Sequence, residues 1–212
     1  IMVLSLAACG SKSDDAQDNN DDAQQTAGQP IEGGTFVYAI EEPITSLNWY
    51  NNNSTDLGKQ VFSNLYDPMW KNNADGSLDY RLAKNVDISE DGTTYTLTLR
   101  DDIYWSDGEK ITTDDIVFTL DTLVEPEVAP STASGYKVDG EFCSYEKVSD
   151  TEIVFTIGRA SNLFKKALGA LYVLPAHCFE GVAATEVLTC EQNDTIATSG
   201  AFVVDSFNVG EK

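Results

Sequence analysis

Between residues 95 and 120 the spacing of apolar positions changes once, and the change divides the stretch into three elements. Tyr95, Leu97 and Leu99 alternate with Thr96, Thr98 and Arg100, the two-residue period of a strand with one buried face. Ser106-Asp107-Gly108 comes next. Gly tolerates positive φ and Asp can bond its own backbone, so this is turn chemistry. Thr112-Thr-Asp-Asp115 then matches a capping box, in which the Thr hydroxyl takes an orphan amide and Asp115 reaches back. Ile116, Leu120, Leu123 and Val124 recur at helical spacing. The pattern predicts strand, turn and capped helix, in that order.

The same reading extends in both directions. Thr35-Phe-Val-Tyr-Ala-Ile40 has the β-branched and aromatic residues of a strand, and Pro43 interrupts regular structure after it. A helix is predicted from Thr55, with Leu57, Val61 and Leu65 four residues apart. Asn73-Ala-Asp-Gly76 is a turn, and Val86-Asp-Ile88 pairs with residues 95–99 across the turn Ser89-Glu-Asp-Gly92. Pro126 and Pro130 end the central helix, and residues 131–145 read as irregular. A second hairpin is predicted around Ser149-Asp150, between residues 146–148 and 151–157. A helix is predicted next over residues 162–171, with Leu163, Phe164, Ala167, Leu168 and Leu171 on one face. Residues 190–197 are a polar loop.

Composition narrows the class. With 42% hydrophobic and 23% charged residues in 212, the chain is a folded one with ample length for a core. A formal net charge of -22 argues against nucleic acid, whose phosphates would be repelled. It fits the solubility of an exported surface protein, with an acidic site for cationic ligands as the alternative. The four cysteines include no Cys-x-x-Cys and the only histidine is His177, so no metal ligand set is expected from spacing. Cys178 and Cys190 could close a short loop in an oxidising compartment, leaving Cys143 free or paired outside the chain. No phosphate-cradling Gly-x-x-x-x-Gly-Lys, no Gly-x-Ser-x-Gly and no His-Glu-x-x-His is present, and the Asp-Gly turns lack the closing Glu of a calcium loop. Carboxylates are abundant, but nothing singles out a catalytic pair, and neither a catalytic residue nor a cofactor is expected. At the beginning, an apolar run too short to span a bilayer leads into Leu6-Ala-Ala-Cys9. Ser11 to Gln29 carries five Asp, four Gln and two Asn with no large apolar side chain. It cannot bury enough surface to fold, and reads as a tether.

Tyr-Thr-Leu-Thr-Leu-Arg, Trp-Ser-Asp-Gly and Ile-Thr-x-x-Asp-Ile-Val-Phe, taken together, resemble the signature region of the extracellular solute-binding proteins of peptide-type ABC importers, family 5. Leu174-Pro-Ala-His177 resembles a further piece in the family's order, Ser199-Gly-Ala-Phe-Val-Val204 resembles a strand that follows it, and Leu-Ala-Ala-Cys9 resembles a bacterial lipobox. The resemblance implies an α/β fold: a periplasmic-binding-protein-like (type II) lobe with an inserted α+β subdomain, incomplete, the second lobe absent. The implied boundaries are a signal-peptide end with lipobox over residues 1–9 and an acidic tether over 10–32. A partial first lobe is built from 33–63 and 185–212, with the inserted subdomain at 64–184. It implies a substrate-binding lipoprotein, acylated at Cys9 on the outer face of the cell membrane. Such a protein is a monomer that captures oligo- or dipeptides for ABC permease subunits, with no enzymatic activity, no cofactor and no metal. The loop after the first strand would line the cleft, giving Glu41, Glu42, Ser46 and Trp49 as ligand-binding candidates, with Tyr136 reaching in from the subdomain. Nickel complexes, sugars or haem are alternative ligands within the family. An exported hydrolase and a surface adhesion or signalling module are the readings from other classes.

Overall fold

The computed structural model describes residues 44, 46–52, 56–128 and 131–205. The predicted strand at 35–40, Cys9, the acidic tether, Glu41 and Glu42 lie outside them. Two short helices come first, α1 (Trp49–Asn52) and α2 (Asp56–Leu65). Helix α2 buries Phe62 and Leu65, three residues apart on one face, leaves Val61 half-buried and exposes Lys59 and Gln60. The last carbonyls of a helix have no partner within it. Here Leu65 O accepts from the amides of Ser199 (3.1 Å) and Gly200 (2.8 Å), and Asn64 O from that of Phe202 (3.2 Å). This is why residues 199–204 form no strand, although the resemblance implies one there: their amides cap α2, and Phe202 and Val203 are left exposed.

Strands β1 (Trp70–Asn72) and β2 (Leu78–Tyr80) form a hairpin whose turn needs the left-handed backbone of Gly76 (φ 85°). Strands β3 (Ala83–Ile88) and β4 (Thr94–Leu99) make the second hairpin, at the predicted place. Helix α3 (Thr113–Val124) then carries the predicted capping box: Thr112 Oγ1 accepts from Asp114 N, and Asp115 Oδ2 accepts from Thr112 N at 2.9 Å. It ends at Glu125, whose position before Pro126 disfavours helical backbone. Ile116, Leu120 and Leu123 are buried, whereas Val124 is exposed in the last turn.

Residues 131–145, expected to be irregular, contain a 3₁₀ turn (Ser131–Tyr136) and a minimal ribbon of β5 (Lys137–Val138) and β6 (Glu141–Phe142). Strands β7 (Ser144–Ser149) and β8 (Glu152–Thr156) complete a four-stranded antiparallel sheet in the order β3-β4-β8-β7. Tyr95 pairs with Phe155 and Leu97 with Ile153 in register, so one face of the two central strands is continuously apolar.

Helix α4 (Asn162–Gly169) closes this face. The Phe164 ring meets Tyr95 edge-on at 5.0 Å and Phe155 at 6.2 Å. Leu168 and Leu171 are also buried, but Leu163 is 61% exposed. A helix turns by about 100° per residue, and with Phe164 facing the sheet its predecessor is carried to the rim.

Candidate functional site

The loop before α1 is bound to residues 187–194 by a set of amide side chains. Asn48, fully buried, donates through Nδ2 to Asn193 Oδ1 at 2.8 Å and accepts the Tyr50 amide on Oδ1. Asn193 in turn donates to the carbonyls of Val187 and Cys190, and its own carbonyl accepts the Leu47 amide at 2.8 Å. Asn51 donates to Leu188 O and to Ser46 Oγ, which also accepts the Asn48 amide. Buried amides cost free energy unless paired, so satisfying both ends of Asn48 and Asn193 specifies this loop conformation. Ser46 and Asn51 face a cavity of about 320 Å³, walled on the far side by Thr189, Glu191 and Asp194.

Of the other candidates, Trp49 is buried, with its ring stacked on Tyr172 at 3.7 Å and edge-on to Phe62 at 6.2 Å. Tyr50 anchors the same turn by donating its hydroxyl to Tyr172 O at 2.7 Å. Tyr136 is in the interior at 4% exposure, donating to Ala167 O at 3.2 Å, so it joins the ribbon to α4. Burial pushes both phenols well above the usual range. The structure thus brings Ser46 and Trp49 together on one loop and places Tyr136 against α4.

A second cleft of about 370 Å³ runs along residues 194–198, with Leu47, Ser106 and Asp107 on one side and Val203–Asp205 on another. The Trp-Ser-Asp-Gly turn is fastened to it: Ser106 N donates to Thr198 O at 2.8 Å, and Ser106 Oγ accepts Thr198 N at 3.0 Å. Gly108 (φ 96°) closes the turn by donating to Trp105 O. Asp107 spends Oδ1 on the Glu109 amide and presents Oδ2 to His177 Nε2 at 2.7 Å. Burial opposes the charge on Asp107, but the His177 bond and the Glu109 amide outweigh it and hold the carboxyl below its usual range.

His177 and Cys178 sit on a 3₁₀ turn (Ala176–Phe179), positioned by the central helix. Asp115, whose Oδ2 caps α3, accepts the Ala176 amide on Oδ1 at 2.9 Å. One buried carboxylate therefore fixes both the start of α3 and the approach of His177. Burial pushes the Asp115 carboxyl up, against the pull of those two amides. Cys178 Sγ lies 3.5 Å from His177 Nε2. Burial, and then the charges of Asp107 and Asp115, push its thiol up. Cys178 and Cys190, candidates for closing a loop, are both free thiols. Cys143 is free and buried, its thiol pushed up to about 12 by burial. The approach of Asp107, His177 and Cys178 was missed from sequence because 70 residues separate the aspartate from the histidine. The two motifs that carry them were visible, but their adjacency depends on tertiary structure.

A family model described as "Bacterial extracellular solute-binding proteins, family 5 Middle" matches residues 77–212. Among curated proteins, the oligopeptide-binding protein AppA of Bacillus subtilis is 26% identical over 92% of this chain and 34% of its own length. The dipeptide-binding protein of Lactococcus lactis is 27% identical over 76% of this chain and 28% of its own. Among solved structures, the ABC transporter substrate-binding protein CtaP of Listeria monocytogenes superposes with a TM-score of 0.70 at 28% identity, covering 78% of this chain and 33% of that one. The chain therefore spans about a third of the length of these relatives.

Proposed function

Because the chain belongs to the bacterial extracellular solute-binding proteins of family 5, we propose that it is part of the ligand-capturing component of an ABC importer. That component takes up oligo- or dipeptides outside the cell and presents them to permease subunits in the membrane. The observation that carries the reading is that two curated relatives matching 92% and 76% of the chain are named for oligopeptide and dipeptide binding. The partial first lobe is assigned to residues 33–63 with 185–212, and the inserted α+β subdomain to 64–184. The bonds Leu47 N to Asn193 O and Asn51 Nδ2 to Leu188 O support grouping these distant segments.

On this reading the loop at residues 41–51 lines one wall of a cleft that a second lobe closes over the ligand. Glu41 or Glu42 receives the peptide's amino group as a charge-assisted partner, and Ser46 stands at the wall. Trp49, in the interior and stacked on Tyr172, keeps that wall rigid, so little ordering entropy is lost on binding. Cys9 carries the lipid anchor on the outer face of the membrane, and the protein acts as a monomer that leaves its ligand chemically unchanged.

Calorimetry tests this. The longer protein that includes the second lobe is expected to bind short peptides at micromolar Kd or better, about 8 kcal/mol. Residues 33–212 alone, holding one wall, are expected to show no binding at that level. Equal affinity in the two would overturn the two-lobe reading.

A further inference from the structure

We propose that Asp107, His177 and Cys178 form a binding site for a borderline-soft divalent transition cation of the zinc class, at the edge of the cleft along residues 194–198. The three donor atoms, Oδ2, Nε2 and Sγ, lie within 4.8 Å of one another and are partly exposed, so an ion can reach them. Around a tetrahedral ion with metal–sulfur and metal–nitrogen bonds of about 2.3 and 2.0 Å, these two atoms stand about 3.5 Å apart. Cys178 Sγ and His177 Nε2 are already 3.5 Å apart. The carboxylate and imidazole are 2.7 Å apart, a hydrogen bond. Two ligands of one ion need about 3.4 Å, so entry of the metal replaces that bond with a small withdrawal of the carboxylate.

The arrangement does not suit a cysteine nucleophile with a histidine base. In such a group the thiol and the orienting carboxylate use different ring nitrogens, whereas here both address Nε2. Convergence on a single nitrogen is the geometry of a shared ion. The donors are also positioned beforehand: Asp107 by the Glu109 amide, and the 3₁₀ turn that carries His177 and Cys178 by Asp115. One sulfur, one nitrogen and one oxygen favour a zinc-class ion over magnesium or calcium, which require oxygen donors throughout. Three protein ligands leave the fourth position for water or a ligand group in the cleft that Asp107 lines.

The test uses the full 212-residue chain with zinc as the probe. In the wild type, zinc is expected to slow alkylation of Cys178, read separately from Cys9, Cys143 and Cys190 by peptide mass mapping. Cobalt substitution is expected to give a thiolate charge-transfer band. Cys178→Ser is expected to abolish the band and weaken zinc at least about tenfold, His177→Ala to weaken zinc comparably, and Cys190→Ser to change neither. Zinc that leaves Cys178 alkylation unchanged, or a cobalt band that survives Cys178→Ser, would overturn the site. The first readout needs no variant, so a folding defect cannot obscure it. Peptide binding is not part of either readout, so the outcome is independent of the transport reading.

Discussion

Gly200 donates its amide to the Leu65 carbonyl at 2.8 Å, and a Cβ on Gly200 would stand 2.6 Å from the Leu65 carbonyl carbon and 2.5 Å from Asn64 O. The obstacle is helix backbone, which cannot turn aside as a side chain can. Gly200→Ala is therefore expected to push the segment from the end of α2 and to destabilise the fold by about 1–3 kcal/mol. Denaturant unfolding measures it, and a cost under about 0.5 kcal/mol would show that the segment docks without close approach.

Adjacent positions on α4 separate the face it buries from the face it exposes. Phe164→Ala leaves a cavity against Tyr95 and Phe155 and is expected to cost about 3–5 kcal/mol. Leu163→Ala, at a site 61% exposed, is expected to change stability by no more than about 0.5 kcal/mol. Equal costs in thermal or denaturant unfolding would place the helix in a different rotation.

The turn between β3 and β4 has a pH signature. Asp91 accepts from Ser89 Oγ (2.6 Å), Thr93 Oγ1 (2.8 Å) and Thr93 N (3.1 Å), and these bonds hold its carboxyl below the usual range. A carboxyl depressed in the folded state adds stability above its unfolded pKa, and that stability is lost as pH falls through the folded value. The wild type is expected to be more stable than Asp91→Asn at neutral pH, with the difference shrinking below about pH 4. A difference that widens on acidification would contradict the assigned bonds.

The proposed lipid anchor rests on Leu6-Ala-Ala-Cys9. Expressed with its leader in a bacterium, the protein is expected in the membrane fraction, and Cys9→Ser in the soluble fraction. One acyl chain gives only marginal anchoring, so loss of the multiply acylated residue should release it. A Cys9→Ser protein retained in the membrane would remove the lipobox.

Elements stated by local rules were legible in the chain. The capping box at Thr112 and Asp115, the alternation of Tyr95, Leu97 and Leu99, and the turns at Gly76, Gly92 and Gly108 stand where periodicity and turn chemistry put them. Tertiary pairing decided what was misread. Residues 199–204 resemble a strand of the family, but the amides of Ser199, Gly200 and Phe202 are taken by Asn64 and Leu65. The Asn48–Asn193 bond crosses 145 residues between two polar loops, and neither Asn differs in sequence from a solvated one. Of the ligand candidates, Ser46 reaches a cavity, while the packing that absorbs Trp49 and Tyr136 depends on Tyr172 and Ala167, distant in sequence.

As proposed, this family member captures peptides and does nothing further to them. Purified longer protein, incubated with a defined mixture of short peptides and washed, can be opened by denaturation and the released material weighed by mass spectrometry. Intact peptides at close to one per protein molecule are the expected result. Recovery of cleaved peptides, or of none above a control protein, would contradict it.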